Sequence, residues 1–129
     1  MDFFFIQMSD PQFGMFARLS GMDEERIQDL LQRNGWNIRP APKTTGFAEE
    51  TVLYEKAIAA ANRLMPAFVV ISGDMVEDRN DPNQLAELRR ITAKLHSHIP
   101  VHWAPGNWDV GNTPTPKTLE QYRKNFGDD

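Results

Sequence analysis

Residues 68–74 have the sequence FVVISGD, a short apolar run that ends in Ser-Gly-Asp. Two further runs have the same form: residues 3–8 precede Ser9-Asp10-Pro11, and residues 101–104 precede Pro105-Gly106-Asn107. Each run is short, mostly continuous in its apolar residues rather than alternating, and bounded by turn residues. This pattern is typical of buried strands in a sheet that is covered on both faces, usually a parallel one.

The segments between these runs have helical spacing. One helix is predicted over residues 53–64, where Pro66 closes it. A second begins after Asp81, with Pro82 at the first helical position and Gln84 at the third, which predicts a capping box. A third begins at Thr115 and ends before Gly127. Strands that alternate with helices predict an α/β fold, a parallel β-α-β-α-β unit.

The connection over residues 11–48 is predicted to be a long irregular loop, and only a small helix over residues 23–33, stopped by Asn34-Gly35, is expected inside it. Connections of this length in a small domain are usually functional or mobile. With 129 residues in total, we treat residues 1–129 as one domain.

Composition excludes several classes of function. Lys and Arg number 14 and Asp and Glu 18, for a net charge of −4, which argues against a nucleic-acid partner. Cysteine is absent, which excludes disulfides and thiolate metal sites. No apolar run is long enough to span a membrane, and the N-terminal residues lack the basic start of a signal peptide. We therefore expect a cytoplasmic protein without a membrane partner.

Oxygen-bearing side chains follow all three predicted strands. Asp10 and Asp74 supply carboxylates, and Gln12 and Asn107 supply amide oxygens. In a parallel sheet these residues converge at the carboxyl edge, where ligands bind. Hard oxygen donors suit Mg²⁺ or Mn²⁺, and Fe or Zn if imidazoles join them. Asp, Asn and Gly are also ordinary turn residues, so the pattern alone leaves a purely structural role open.

The strand-end motifs resemble those of the calcineurin-like metallophosphoesterases. Asp10-Pro11-Gln12, Gly73-Asp74 and Gly106-Asn107-Trp108-Asp109 align in order with the D-x-H, G-D and G-N-H-D or G-N-H-E motifs of that family. The strings at residues 9–14, 106–115 and 126–129 are similar to the branch of calcineurin-like phosphoesterase domain-containing proteins, which includes a serine/threonine phosphatase. The resemblance implies a partial metallophosphoesterase domain, the N-terminal half of a four-layer α-β-β-α sandwich.

The resemblance also implies a chemistry. Two divalent metal ions (Mn, Fe, Zn or Mg) would be bound, the first by Asp10, the second by Asn107, with Asp74 between them. Gln12 stands where most members have a metal-binding His. The implied reaction is hydrolysis of a phosphorylated protein or a small phosphoester by a two-metal-activated hydroxide.

Two departures from the family bear on activity. Trp108 occupies the position of the catalytic His, and an indole N–H donates a hydrogen bond but supplies no proton. Asp109, which supports that His in the family, loses its partner and is expected to cap a turn. The family continues through strands with further His ligands, and none of His96, His98 and His102 matches them.

We therefore expect the N-terminal part of a longer protein, with weak or no activity by itself and with self-association through an uncovered sheet face. Two alternatives stay open. One is a catalytically impaired or non-catalytic relative that binds metal or phosphate. The other is a receiver-like or flavodoxin-like module. A receiver needs an acidic pair after the first strand and a later Lys, whereas Pro11 follows Asp10 and no Lys follows a suitable strand.

Overall fold

The computed structural model describes residues 3–127, which form a three-stranded parallel sheet and six helices. The strands are β1 (Ile6–Ser9), β2 (Val69–Ser72) and β3 (Val101–Ala104). The helices are α1 (Met15–Leu19), α2 (Glu24–Asn34), α3 (Ala48–Leu64), α4 (Pro82–Thr92), α5 (Asn107–Val110) and α6 (Pro116–Phe126). The predicted α/β class and the parallel β-α-β-α-β order are confirmed.

The strands lie in the order β1-β2-β3 and end at the same level. Ser9 pairs with Ser72, which pairs with Ala104, so the residues after all three strands lie along one edge of the sheet. Backbone hydrogen bonds continue past the strands, since the Asp10 N–H donates to the Gly73 carbonyl at 3.2 Å. This shared register is what assembles the candidate site.

One face of the sheet is covered and carries the core. Ile71 of β2 packs there with Ile58 of α3 and with Leu88 and Ile91 of α4, all at most 1% exposed. On the opposite face residues such as Gln7 and His102 are exposed. The prediction of a sheet covered on both faces is therefore wrong for residues 3–127, because α3, α4 and α6 all contribute their core residues to the same face.

The first apolar run is also partly exposed to solvent. Strand β1 begins at Ile6, and Phe3, Phe4 and Phe5 before it are 69%, 49% and 51% exposed. The Phe5 ring stacks on the Phe68 ring, with centroids 5.0 Å apart, on the uncovered side of the sheet. The expected self-association through an uncovered sheet face stays a prediction.

The connection over residues 11–48 contains two helices. Helix α2 agrees with the small predicted helix: Asp23 caps it by accepting from the Arg26 N–H at 2.8 Å, and Gly35 ends it with a φ of 71°. Helix α1 was not predicted. Its first N–H groups are bound by a distant residue, since Glu50 Oε1 accepts from Gly14 and Phe16.

The helix caps follow the sequence with one exception. Thr115 caps α6 as predicted, accepting from the Thr118 N–H. Asp81 caps α4 by accepting from the Asn83 N–H at 2.8 Å. The predicted capping box with Gln84 is wrong, because the buried Gln84 Oε1 instead accepts from the Asp78 N–H in the loop after β2.

A further observation concerns the limits of the chain. Asp128 and Asp129, which end the quoted string at residues 126–129, lie outside the described residues.

Within residues 3–127, none of the helices combines the length and the apolar character needed to cross a bilayer.

Candidate metal centre

Two carboxylates come together at the carboxyl edge of the sheet. The loop after β1 runs beside the loop after β2: Gln12 N–H donates to the Asp74 carbonyl at 3.0 Å, one step beyond the bond from Asp10 to Gly73. Burial raises the pKa of Asp74 above its ordinary value, the Trp108 N–H lowers it, and the neighbouring Asp10 carboxylate raises it further. A pair of adjacent acids of this kind favours a cation between them.

The backbone at this edge is strained. Asp10, Gln12 and Asp74 have φ values of 54°, 34° and 51°, and within residues 3–127 they are three of the four non-glycine residues with positive φ. Such conformations cost roughly 1–3 kcal/mol each and persist where the surrounding structure enforces them, often at functional sites. The strain therefore coincides with the residues that the sequence singled out as ligands.

Gly106 allows the loop after β3 to approach Asp74 closely. A Cβ at position 106 would lie 2.6 Å from the Asp74 backbone nitrogen and would overlap the Asp74 carboxylate. The φ of Gly106 is −103°, which any residue adopts, so close approach and not backbone freedom explains the glycine.

Asp109 ties the second and third loops together. It is 4% exposed, and its Oδ2 accepts from the N–H groups of Asp74 and Gly106, both at 2.8 Å, while Oδ1 accepts from the Met75 N–H at 3.0 Å. Burial raises the pKa of Asp109, and the three N–H donors oppose that rise. The bond to Gly106 is the expected turn cap, whereas the two bonds across to the β2 loop leave no trace in local sequence.

Asn107 and Trp108 begin α5 at the same edge. Asn107 is exposed, and the backbone N–H of Trp108 donates to Asp74 Oδ1 at 2.9 Å. The Trp108 indole lies under the guanidinium of Arg18, whose Cζ is 4.7 Å from the ring centroid. Arg79 Nη1 donates to the Trp108 carbonyl at 3.3 Å. Sequence reasoning missed both arginines, because neither belongs to a motif.

Gln12 carries an unsatisfied amide. Its Nε2 is buried and lacks a hydrogen-bond partner in the described part of the chain. Leaving such a group unpaired costs about 1–3 kcal/mol. The two ends of a carboxamide have the same shape, so a half-turn about the last bond presents Oε1, an acceptor and metal ligand, at that point. Gln12 is thus compatible with a ligand role.

Two clefts flank this edge. One of about 610 Å³ borders Asp10 and Gln12 and is otherwise mainly apolar, with Phe16 and Leu53 in its wall. The other, of about 400 Å³, is lined by Asn107, Trp108 and Arg79 among others. Both volumes fall in the range typical of small-molecule sites.

The donor set fits oxygen-bound divalent cations. Two carboxylates, Asp10 and Asp74, lie together, and Asn107 begins α5 at the same edge of the sheet. Carboxylate and amide oxygens of this kind suit Mg²⁺ or Mn²⁺. Among residues 3–127 no three His, Cys, Asp or Glu side chains are grouped closely enough to hold a metal. The histidines do not join the set: His96 and His98 precede β3, and His102 pairs with Val70 within the sheet. The amides of Gln12 and Asn107 are the remaining candidate ligands from the sequence.

Comparison with known proteins identifies a family and several relatives of this chain. Residues 5–128 match the family described as Calcineurin-like phosphoesterase. Serine/threonine-protein phosphatase CPPED1 of Bos taurus is 33% identical over 133 residues, covering 98% of this chain and 37% of the relative. The proteins of the same name from Danio rerio and Homo sapiens are 34% and 32% identical, with the same 98% of this chain and 38% and 37% of the relatives covered.

The chain thus spans a little over a third of the length of the curated relatives that it matches. No solved structure is significantly similar to it. The match of the family over residues 5–128, together with relatives more than 30% identical over nearly the whole chain, shows that this chain belongs to the calcineurin-like phosphoesterase family.

Proposed function

We propose that this chain carries the metal-binding part of a phosphoester hydrolase that acts on phosphorylated proteins or small phosphoesters. The observation that supports the proposal most is the pairing of Asp10 and Asp74 at the carboxyl edge, with Gly106 packed directly against Asp74. The matched relatives are named as serine/threonine-protein phosphatases, which favours a phosphoprotein substrate.

Asp10, Asp74, Asn107 and Gln12 would hold two divalent ions. Bound divalent ions would supply Lewis acidity, which lowers the pKa of a water and neutralises charge on a phosphate. The chain's own contribution is to keep the donors in place. The backbone N–H of Trp108 donates to Asp74 Oδ1, and Asp109 accepts from the backbone N–H groups of Asp74 and Gly106.

The substrate would lie across both clefts. The phosphate belongs at the polar edge, and the mainly apolar cleft beside Asp10 has room for the organic part of the ester. Trp108 supplies no proton to the leaving oxygen. The proposal therefore predicts faster hydrolysis of esters whose leaving group needs no proton, such as nitrophenyl phosphate, than of alkyl esters.

The test uses the purified chain with Mn²⁺ and nitrophenyl phosphate. We expect Asp74→Asn to abolish hydrolysis and to weaken Mn²⁺ binding in a calorimetric titration. Asp29→Asn is the matched control, since Asp29 pairs with Arg26 on α2 and belongs to neither cleft. Because weak or no activity is expected of this chain by itself, Mn²⁺ binding decides: equal Mn²⁺ affinity for the wild type and Asp74→Asn would contradict the proposal.

A second candidate is a binding protein that has lost catalysis. The observation that favours it is the Trp108 ring at the position of the family's catalytic His. Trp108→His separates the two, because restoring a general acid should raise the rate on phenyl phosphate by about 10²- to 10⁴-fold. No gain, with Mn²⁺ binding intact, would favour the binding protein.

A further inference from the structure

We infer that Arg18 is a phosphate-binding residue of this site and that Trp108 is the positioning residue that holds its guanidinium there. The inference rests on the proposed function, because the anion in question is the phosphate of the proposed substrate. It gives Trp108 a role that differs from that of the histidine it replaces.

Arg18 connects all three loops of the site. It lies in α1, which follows β1, and its Nη1 is 3.1 Å from Glu77 Oε1 in the loop after β2. Its guanidinium covers the ring of Trp108 in α5, which follows β3. The backbone N–H of Trp108 donates to Asp74 Oδ1. The Arg18 guanidinium is therefore held by Glu77 and by the Trp108 ring, and Trp108 itself contacts the proposed metal ligand Asp74.

The carboxylates at this edge of the sheet give the Arg18 guanidinium an electrostatic role. Asp10 and Asp74 are adjacent, Asp109 is buried behind them, and Glu77 lies in the same loop as Asp74. The proposed metal ions would offset the charge of Asp10 and Asp74, but a phosphate that approaches this edge still meets the carboxylates of Glu77 and Asp109. The positively charged guanidinium of Arg18 offsets that repulsion.

Stability alone gives little reason for this arrangement. The Arg18 side chain is 43% exposed and that of Glu77 is 21% exposed, and ion pairs this close to solvent contribute little to folding. A guanidinium has five donors in a planar fork, and the contact with Glu77 engages one of its nitrogens. The remaining edge of the fork suits two oxygens of a phosphate.

The Trp108 ring explains how the fork is held. A guanidinium above an indole is attracted to the ring face, whereas its N–H donors point outward in the guanidinium plane. The ring thus restrains the group without using its hydrogen bonds. An indole at this position supplies a surface for a cation, where a histidine would supply a proton.

The test measures binding of inorganic phosphate to the Mn²⁺-loaded chain by calorimetry. We expect Arg18→Ala to weaken phosphate binding about ten- to hundredfold, the loss expected for a hydrogen bond to a charged group. Arg18→Lys should restore part of it. Arg26→Ala, which removes an exposed arginine on α2, should leave phosphate affinity unchanged.

Trp108 variants test the positioning role. Trp108→Phe keeps an aromatic face and should keep phosphate affinity, whereas Trp108→Ala should weaken it as much as Arg18→Ala. The double variant Arg18→Ala/Trp108→Ala should be no weaker than Arg18→Ala alone, because the two residues act as one unit. Mn²⁺ affinity and far-UV circular dichroism, measured in every variant, should not change.

Each outcome decides a different claim. If the wild type binds phosphate and Arg18→Ala binds it equally well, the inference about Arg18 is wrong and the proposed function stands. If Trp108→Phe loses as much affinity as Trp108→Ala, the indole N–H and not the ring face matters, and the positioning role is wrong. If the wild type binds Mn²⁺ but no phosphate, the proposed function fails together with the inference.

Discussion

Replacing Asp109 by asparagine tests whether one buried side chain holds the site together. The carboxylate accepts three backbone N–H groups, from Asp74, Met75 and Gly106, at 2.8–3.0 Å, and it is 4% exposed. Asparagine has the same shape but only one acceptor oxygen. The substitution therefore removes acceptors without opening a cavity, which isolates the contribution of the hydrogen bonds.

The expected loss follows from the three bonds. With the amide oxygen at the Oδ2 position, the bonds from Asp74 and Gly106 persist as neutral ones, and the new NH₂ group faces the Met75 N–H. Bonds to a charged acceptor contribute about 1.5–3 kcal/mol and neutral ones about 0.5–1.5 kcal/mol. Relief of a buried charge beside Asp74 offsets part of the difference. We expect a net loss in unfolding free energy of about 2–4 kcal/mol.

Urea unfolding followed by far-UV circular dichroism measures this loss. Asp81→Asn is the matched control: Asp81 caps α4 through one bond to the Asn83 N–H, and asparagine caps as well as aspartate. We expect that control to change stability by less than about 0.5 kcal/mol. Indistinguishable urea midpoints for the two variants would refute the role given to Asp109.

Asp109→Asn should also weaken Mn²⁺ binding about ten- to hundredfold, the range seen when a residue that supports metal ligands is lost. Asp109 binds no metal in the proposal and acts by fixing the backbone of Asp74 and Gly106. Calorimetry under conditions where both proteins are folded separates this effect from unfolding. An unchanged Mn²⁺ affinity would mean that the loops keep their positions without it.

Three further predictions concern packing and charge. Gly106→Ala should lower stability by about 1–3 kcal/mol, since the added Cβ overlaps Asp74, and it should weaken Mn²⁺ binding in a titration. Leu88→Ala should cost about 2–5 kcal/mol in urea unfolding, because Leu88 is fully buried in the core. Glu87, whose pKa the Arg90 hydrogen bond lowers to about 2, stabilises the fold above its ordinary pKa of 4.5, and this contribution disappears as the pH falls toward 2. Glu87→Gln should therefore cost up to about 1 kcal/mol at pH 7 and flatten the acid limb of a plot of melting temperature against pH.

Each of these has a control in the chain. Leu64 is 52% exposed, so Leu64→Ala should cost much less than Leu88→Ala. Glu120 forms an exposed pair with Lys124, so Glu120→Gln should keep the acid limb of the wild type. A Cβ at Gly46 meets open space, so Gly46→Ala should leave Mn²⁺ binding unchanged although its φ of 74° is unfavourable. Equal effects within any pair would contradict the corresponding prediction.

The three strands and the β-α-β-α-β order of elements along the chain could be predicted because their signals are local. Each strand is a short apolar run closed by a turn residue, and helical spacing between the runs dictates parallel pairing. The candidate ligands follow from the same logic, since parallel strands that end together must bring Asp10, Asp74 and Asn107 to one edge. The start of β1 could not be predicted in this way, because Phe3 to Phe5 are as apolar as the strand itself.

The residues that hold the site could not be predicted, because their partners are far away in the chain. Glu50 organises the start of α1 from 34 and 36 positions away, and Asp109 binds the N–H groups of Asp74 and Met75 from 35 and 34 positions away. Arg18 meets Trp108 across 90 positions of the sequence. No periodicity or spacing rule relates such pairs; only the folded sheet brings them together.

The strained backbone and the hydrogen bonds around it indicate that different residues bind the metal and maintain the loop conformation. The positive φ values of Asp10, Gln12 and Asp74 are maintained by backbone bonds that continue the sheet past its strands and by the carboxylate of Asp109. None of these bonds uses the side chain of Asp10 or Gln12. These backbone bonds can therefore form without those side chains, whereas the bond to the Asp74 N–H requires the carboxylate of Asp109. It follows that substitutions at Asp10 and Gln12 should remove metal binding and leave the fold intact, while substitutions at Asp109 should damage both.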